Sequence, residues 1–449
     1  MPDTLDETYE RMLRGINKAR ADDAYRLLQC LTVAVRPLHV EELAELLAFD
    51  FRASSSGGIP TLKEDWRWDD QEEAVLSTCS SLITIVHNGD SRVVQFSHFS
   101  VKEYLTSSRL ARSHGDVSGF FIDLGHAHTI MAQACLCTLL RLDEHAAKNG
   151  GEGFPLAEYA AEHWVEHAQF EKVSSHVLDG MVDLFDSEPH FAAWLRVHDV
   201  GKAWTRFSLR ALGGGSPLYY ASFCGFYDLA EHLITKHPEQ VNASGGRNAA
   251  PLLAALYNRH FRVANLLREH GAIVDIRGDQ GWNPLHLASA GGHTDLLRWL
   301  LDQGADINAR TEFHFTPLHL AVGNMNLEAT QMLLERNADP NVPNHRDGTP
   351  LYEVLFSSSK REVVAVDIVQ RLLDHGADPN IRVSDDRQFS PLHLASKRGL
   401  LEAARLLLSY GAKIDEKDEE GRTPFQVASE SGYDEITKLL LEHGAVPQP

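Results

Sequence analysis

The chain has 449 residues, 43% of them hydrophobic, with 63 acidic and 42 basic side chains. At roughly 100 to 200 residues per domain, this length predicts two or three structural units with enough apolar material for buried cores. The net charge of -21 argues against a surface for nucleic acid or anionic membrane, because both need a basic face.

Neither targeting nor disulfide signals occur in the sequence. Residues 1–7 are acidic and polar, unlike a signal peptide, and no run of 18 apolar residues is present. The five cysteines are odd in number and irregularly spaced, which does not indicate a disulfide framework. We therefore expect a soluble cytoplasmic protein, with entry into the nucleus left open.

Residues 1–112 are expected to form a compact unit that begins with helices. Thr4 and Glu7 form a capping-box pattern at the start of the first helix. Apolar periodicity predicts three helices, over approximately residues 5–20, 24–34 and 40–48.

A hairpin follows these helices. Residues 82–87 and 93–98 alternate in strand fashion around Asn88-Gly89, a strong short-range hairpin signal. A second capping-box pattern, with Ser100 and Glu103, predicts a helix that runs to Leu105. Three helices and a terminal hairpin predict a winged-helix-like unit.

A winged helix raises the question of DNA binding. A helix that reads DNA needs Lys and Arg, but the third helix contains Glu41, Glu42 and Glu45 and no basic residue. Because these carboxylates would repel phosphate, the sequence predicts no contact with nucleic acid.

Residues 113–212 are expected to form a helical linker domain that contains one enzyme-like string. His163-Trp164-Val165-Glu166-His167 fits the His-x-x-Glu-His pattern of inverted zinc peptidases. On a helix, His163 and His167 share one face and could bind zinc beside Glu166. The same helix has an apolar stripe typical of a packing element, so a zinc-dependent hydrolase is a remote alternative.

Residues 213–449 form a repeat array. A helix-opening Pro followed by Leu or Phe recurs at intervals of 34, 33, 33, 33, 41 and 33 residues, at Pro217, Pro251, Pro284, Pro317, Pro350, Pro391 and Pro424. In five copies the preceding residue can cap the helix through a side-chain oxygen: Asn283, Thr316, Thr349, Ser390 and Thr423. A second helix is expected to end at a glycine able to adopt the left-handed conformation: Gly271, Gly304, Gly376, Gly411 and Gly444.

The best-formed copies, Thr-Pro-Leu-His-Leu-Ala at 316–321 and Ser-Pro-Leu-His-Leu-Ala at 390–395, resemble the ankyrin repeat. The resemblance implies a mainly α fold: a solenoid of seven ankyrin repeats, preceded here by the winged-helix-like unit and the helical linker. Such a stack binds another macromolecule and has no chemistry of its own. His286, His319 and His393 recur in phase with the repeat, so they are expected to join neighbouring repeats by hydrogen bonds.

The position just before each cap recurs at equal phase in successive hairpins, which places its side chains on one side of the stack. The candidate partner-binding residues are Trp282, Phe315, Phe389 and Arg422 at this position, with the adjoining Phe313 and His314. An exposed aromatic row favours a contact surface for another protein. The alternative is that each ring packs on the neighbouring hairpin, in which case the partner site is expected at the insertion of the fifth repeat, residues 357–362.

The N-terminal half is similar to a further family. The stretches 4–11, 36–44 and 96–105 resemble the winged helix that follows the NACHT nucleotide-binding module in fungal signalling NTPases, and residues 156–220 resemble the linker that joins it to ankyrin repeats. In that family, a histidine at the position of His98 senses the nucleotide phosphate. The chain lacks a Gly-x-x-x-x-Gly-Lys-Ser/Thr phosphate loop, because its only Gly-Lys pair, Gly201-Lys202, is followed by Ala203.

These patterns predict a non-enzymatic interaction scaffold without catalytic residues, cofactor or metal. The leading hypothesis is the recognition and regulatory part of a NACHT-type signalling system, from either a shortened gene or a fragment of a longer protein. The alternative is an accessory ankyrin protein of a fungal biosynthetic pathway.

Because the phosphate loop is absent, we expect this chain alone neither to bind nor to hydrolyse ATP or GTP. Isothermal titration calorimetry and a phosphate-release assay on the purified chain test this. Saturable binding in the micromolar range that is lost in His98→Ala would contradict the prediction.

Overall fold

The computed structural model describes residues 5–51, 59–79, 81–89, 91–113, 116–142, 153–197, 215–243, 250–277, 279–357, 362–382 and 388–447. The chain divides into two compact units: residues 1–247 with 260–270, and residues 248–259 with 271–449. The three-domain division expected from the sequence, at 112 and 212, stays a prediction.

In the N-terminal part of the first unit, the described residues form helices and short antiparallel strands. The helices are α1 (Leu5–Arg14), α2 (Ala21–Val33), α3 (Val40–Leu47), α4 (Gln71–Cys79), α5 (Phe99–Leu105) and α6 (Ser108–Ala111). The strands are β1 (Leu38–His39), β2 (Phe49–Asp50), β3 (Thr61–Leu62), β4 (Ile83–Asn88) and β5 (Ser91–Phe96). β5 is central in a sheet of order β1-β5-β4, and β2 pairs with β3. This arrangement confirms the predicted winged helix.

Local details differ from the expected ones. The first helix ends at Arg14, and a separate 3-10 turn capped by Asn17 occupies Lys18–Arg20. Thr4 lies outside the described residues. Helix α5 begins at Phe99, two residues earlier than expected, because the His98 side chain accepts the Ser100 N–H and acts as the cap. The predicted Ser100 cap is therefore wrong.

A linker follows, whose described residues form the helices α7 (Leu124–Leu139), α8 (Ala157–Ala168), α9 (Val173–His176), α10 (Leu178–Asp186) and α11 (Glu188–Val197). Its core is aromatic. The Trp164 ring packs edge-on against Trp194, with centroids 5.4 Å apart, and stacks on Phe226 of the first repeat at 5.5 Å. Asp186 pairs with Lys236 of that repeat at 2.9 Å. The linker thus covers the terminal repeat, which a repeat stack would otherwise leave exposed.

Seven consecutive helix pairs are present among the described residues of the repeat region. In unit one they are α12 (Pro217–Cys224), α13 (Tyr227–Lys236) and α15 (Phe261–Glu269). In unit two they are α14 (Pro251–Tyr257), α16 (Pro284–Gly291), α17 (Thr294–Asp302), α18 (Pro317–Gly323), α19 (Leu327–Glu335), α20 (Pro350–Ser357), α21 (Glu362–Asp374), α22 (Pro391–Arg398), α23 (Leu401–Ser409), α24 (Pro424–Glu430) and α25 (Asp434–Glu442). This confirms the predicted mainly α fold.

The predicted helix boundaries of the repeats are confirmed at both ends. Each of the five expected cap residues accepts a backbone N–H three residues on, for example His286 N–H to Asn283 Oδ1 at 3.0 Å. The five helix-ending glycines have φ between 84° and 95°, a conformation that costs glycine little.

The in-phase histidines join neighbouring repeats, as predicted. The Nε2–H of His319 donates to the Gly348 carbonyl at 3.0 Å, and that of His393 donates to the Arg422 carbonyl at 3.0 Å. Nδ1 of each ring accepts the backbone N–H of its own cap residue. Burial lowers the pKa of His319 to about 4, so the neutral ring that this geometry requires is the stable form at neutral pH.

A second line of hydrogen bonds runs through the loops after the second helices. The side-chain oxygen of Asn308 accepts the Asp339 N–H at 3.1 Å. Asn341 repeats this bond to Asp378 at 2.8 Å, and Asn380 repeats it to Lys413 at 2.9 Å. The third and fourth repeats are therefore each tied to the following repeat at two separate places.

Leu300 lies in α17 and is fully buried, so Leu300→Ala should reduce the free energy of unfolding by about 2 to 5 kcal/mol. Chemical denaturation followed by circular dichroism measures the loss. Leu301→Ala is the matched control, because Leu301 is only half-buried and should lose less. A change below about 0.5 kcal/mol for Leu300→Ala would contradict the packing of α17.

Candidate protein-interaction surface

The hairpins between repeats share one backbone feature. Two residues before each cap, the chain adopts positive φ, at Gly281, His314, Asp347, Gln388 and Gly421. Glycine accepts this conformation readily, whereas a side chain with a Cβ adopts it at a cost. Two of the five positions hold glycine, so the other three keep an energetically unfavourable side chain at the hairpin tip.

Neighbouring hairpin tips are joined through their backbones. The Glu312 N–H donates to the Gln280 carbonyl at 2.9 Å, and the His345 N–H donates to the Phe313 carbonyl at 3.0 Å. These bonds hold the tips side by side and fix the side chains that they display.

The predicted residues Phe313, His314 and Phe315 lie together at one of these tips, with His345 of the next hairpin. We call these four residues the Phe313 cluster. The Phe313 side chain is 44% exposed and its ring centroid lies 5.4 Å from that of His345. Phe315 is half-buried, with its ring 5.8 Å from His345. His314 is exposed at a φ of 59°.

The expected continuous exposed row is wrong at Phe389, which is only 3% exposed. Its ring stacks on His393, with centroids 5.7 Å apart. The Lys397 ammonium and the Arg422 guanidinium lie 5.2 and 6.0 Å from the Phe389 ring centroid. Phe389 therefore packs against the helix that follows it and against Arg422 of the neighbouring hairpin, in line with the alternative that the sequence left open.

The two remaining predicted residues, Trp282 and Arg422, are half-buried. Arg422 forms ion pairs with Asp418, Glu420 and Glu430, so its guanidinium is already engaged. His345 was missed by sequence reasoning, since only the folded hairpins bring it against Phe313. The alternative partner site suggested by the sequence is the insertion at residues 357–362. Residues 358–361 of this insertion lie outside the described part of the chain.

The acidic side chains of α3, the third helix of the winged helix, form ion pairs with arginines of other segments. Glu42 accepts two hydrogen bonds from the Arg36 guanidinium, at 2.6 and 2.9 Å, and Glu45 forms a two-point pair with Arg67. Both carboxylates are buried, and Glu41 pairs with Arg92 of β5. The helix is thus not the exposed acidic face that the sequence suggested, and the absence of nucleic-acid contact stays a prediction.

His98 is exposed at the start of α5. Its Nδ1 lies 2.6 Å from Ser100 Oγ, which in turn lies 2.5 Å from the Tyr9 hydroxyl. The next residue, Phe99, is 72% exposed and its ring lies 4.4 Å from the imidazole. A structural capping role accounts for the His98 side chain.

The His-x-x-Glu-His motif at residues 163–167 lies on α8, but its two histidines are not arranged to bind one metal ion. His167 is buried with both ring nitrogens engaged: Nδ1 lies 2.9 Å from His128 Nδ1, and Nε2 lies 2.9 Å from the Tyr159 hydroxyl. That hydroxyl accepts the Val35 N–H at 3.2 Å, so its own proton goes to His167 Nε2. Because His167 offers no open nitrogen, it acts as a structural link from α8 to α7 and, through Tyr159, to the backbone just after α2.

Burial, with smaller contributions from His128 and His163, lowers the pKa of His167 to about 3. The ordinary pKa of histidine is about 6.5, so the unfolded chain takes up a proton below that pH while the folded chain keeps a neutral ring. The contribution of His167 to the free energy of unfolding is therefore complete only above about pH 6.5. Stability should then fall by about 1.4 kcal/mol per pH unit as the pH drops from there towards 3.

Urea denaturation at pH 7.5 and pH 5.5 tests this dependence in wild type and His167→Gln. We expect the variant to lose the share of the pH dependence that His167 contributes, whereas the share from other buried imidazoles such as His319 should remain. The exposed His126 supplies the control His126→Gln, which should retain the wild-type dependence. An unchanged dependence in His167→Gln would contradict the assignment.

His314→Gly should raise the free energy of unfolding by about 1 kcal/mol, because glycine relieves the positive φ. Asp347→Gly is the comparison, with a smaller expected gain, since Asp tolerates this conformation better. Thermal melting of both variants gives the measurement. A loss of stability in His314→Gly would show that the imidazole contributes to packing.

Comparison with known proteins is consistent with this geometry. A family model described as ankyrin repeats in three copies matches residues 218–311, 252–344 and 355–448. A model described as the GPI inositol-deacylase winged helix domain matches residues 9–117. No helix among the described residues is long and apolar enough to span a membrane.

Three curated relatives share parts of the sequence. Azaphilone pigments biosynthesis cluster protein L of Monascus ruber is 32% identical over 294 residues, which is 60% of this chain and 59% of that protein. The human ankyrin repeat and SOCS box proteins 18 and 10 are 41% identical over 61 residues and 51% identical over 45 residues. These matches cover 14% and 10% of this chain, and 13% and 9% of the human proteins.

The chain thus spans about three fifths of the length of its fungal relative and a small part of the human ones. Ankyrin repeats support a role in protein interaction, and such domains are generally non-enzymatic. The chain contains a winged-helix domain of the GPI inositol-deacylase type and ankyrin repeats.

Proposed function

We propose that this chain is a non-enzymatic scaffold that binds another protein through its ankyrin repeats. The observation that carries the proposal is the Phe313 cluster. It combines an exposed aromatic ring with a tip residue held at an unfavourable φ, on hairpins fixed by hydrogen bonds between repeats. Exposed aromatic side chains on a rigid framework suit the centre of a protein interface.

The proposed contact centre is Phe313, His314 and Phe315, with His345 beside them. Trp282 contributes at the neighbouring hairpin, where its ring is half-buried. Phe389 and Arg422 support the surface from within, because their side chains are occupied by His393, Lys397 and the surrounding acids. The proposal assigns no catalytic residue, cofactor, metal or nucleotide, and no contact with membrane or nucleic acid.

The first candidate role is the recognition and regulatory part of a NACHT-type signalling system, acting in the cytoplasm. It is supported by the winged helix joined to ankyrin repeats through a helical linker. The exposed His98 and Phe99 would then be available for contact with a nucleotide-binding module, carried on the same or another chain.

The second candidate role is an accessory protein of a fungal biosynthetic pathway. The observation that favours it is the 32% identity to a Monascus ruber protein named for the azaphilone pigment biosynthesis cluster. Both roles use the repeats as the protein-binding part, and they differ in the identity of the partner.

An affinity pull-down with the full chain, followed by mass spectrometry, tests the proposal. Wild type should capture a reproducible partner from an extract of the source organism. Phe313→Ala should reduce the captured amount at least about fivefold while leaving the melting temperature within about 2 °C, because a half-exposed ring contributes little to folding.

Phe389→Ala is the matched control at a buried ring. It should lower the melting temperature markedly and reduce capture only in proportion to the folded fraction. Full capture by folded Phe313→Ala would move the contact surface elsewhere, and the absence of any specific partner would contradict the scaffold role. A captured NACHT protein favours the first role, whereas captured biosynthetic enzymes favour the second.

A further inference from the structure

A second exposed aromatic feature lies outside the hairpins, where the first helices of the fifth and sixth repeats end. Phe356, in the last turn of α20, is 53% exposed. Its ring is nearly parallel to that of Tyr352, at an interplanar angle of 13° and a centroid distance of 6.5 Å. The Arg398 guanidinium, at the end of α22, lies 4.7 Å from the Phe356 ring centroid. We call Tyr352, Phe356 and Arg398 the Arg398 site.

Arg398 differs from several other arginines of the same unit in having no acidic partner in the part of the chain that the structure describes. Arg336 pairs with Asp302 at 2.9 Å, and Arg405 pairs with Glu402 at 3.5 Å. No carboxylate among the described residues lies within 4.0 Å of the Arg398 guanidinium. The aromatic ring thus holds this cation in place without neutralising its charge.

A second cation lies on the preceding residue of the same helix end. Lys397 is exposed, with its ammonium 5.2 Å from the Phe389 ring centroid. Two adjacent cations therefore rest on aromatic rings in a chain whose net charge is -21.

The chemistry of the site defines what it fits. A guanidinium binds a carboxylate through two parallel hydrogen bonds, and an arginine held on a ring loses little freedom on binding. The exposed part of Phe356 offers apolar area directly beside that charge. A ligand that satisfies both carries a carboxylate next to an apolar side chain, as in an acidic peptide segment with interspersed Leu or Phe.

We propose that the Arg398 site binds an acidic, partly apolar segment of the partner protein, with a partner carboxylate on Arg398 and an apolar side chain on Phe356. The inference rests on the proposed function as an interaction scaffold and adds the chemical class of the partner. It also supplies a contact independent of the Phe313 cluster.

Fluorescence anisotropy with the full chain tests the proposal. The probe is a fluorescein-labelled peptide of about 12 residues built from Glu, Leu, Gly and Ser, and its matched control has Gln at every Glu. The acidic peptide should bind at least about tenfold more tightly than the Gln peptide. Raising NaCl from about 50 to about 300 mM should weaken this binding, because salt screens exposed charges.

Variants identify the residue. Arg398→Gln should weaken binding of the acidic peptide at least about fivefold, and Arg398→Lys should retain an intermediate affinity, because it keeps the charge but not the paired donors. Arg405→Gln, at an exposed arginine of the next helix, should bind like wild type. Unchanged melting temperatures show that each variant is folded.

Three results with the peptides would overturn the inference: no binding of the acidic peptide by wild type, equal binding of the acidic and Gln peptides, or unchanged binding in Arg398→Gln. None of these affects the scaffold role, which depends on partner capture. Conversely, a pull-down without any partner would remove the scaffold role even if the peptide binds. If a captured partner binds Arg398→Gln as well as wild type, the scaffold role stands and the inference fails.

Discussion

The hydrogen bond from an in-phase histidine to a carbonyl of the next hairpin is the interaction on which the repeat region depends. It uses both nitrogens of one neutral imidazole, one for the cap of its own helix and one for the neighbouring repeat. Because the ring is buried, breaking either bond would leave a polar group without a partner in an apolar setting. In the third, fourth and sixth repeats, which carry this histidine, the position of the next hairpin is therefore set by the helix before it.

This coupling explains how a surface of short hairpins can be rigid enough to bind. The tips have little hydrophobic core of their own, yet their backbones are joined through the Glu312 and His345 N–H groups. The asparagine bonds on the other side of the helices add a second line of constraint. A ring such as Phe313 can then remain half-exposed without the hairpin collapsing onto it.

The first unit contains the first repeat, whose outer surface would be exposed at the end of a repeat stack. Its linker covers the first repeat with aromatic contacts around Trp164 and an ion pair through Asp186. The buried arginine–glutamate pairs of the winged helix and the chain of His128, His167 and Tyr159 connect its helices. Most acids here that resemble a functional surface in sequence are occupied in holding helices together.

The sequence by itself determined the repeat period, the helix caps and the glycine stops, because each depends on local backbone chemistry. It also indicated the in-phase histidines and the candidate residues of the Phe313 hairpin, since equal phase in a repeat places side chains on one side of the stack. It did not determine which of these side chains are exposed. Phe389 and Phe315 occupy the same position of the repeat, directly before the cap, yet Phe389 is buried between cations and an imidazole whereas Phe315 is only half-buried.

Only the tertiary structure decided that difference, because it depends on contacts between residues far apart in the chain. The same holds for His345 beside Phe313, for Arg398 on Phe356, and for the glutamates of α3, which lie in a sequence free of basic residues but pair with Arg36, Arg67 and Arg92 from other segments. Local sequence patterns determine the helices and hairpins of this protein. The ion pairs and the exposure of a side chain depend instead on which other segment of the chain packs against it.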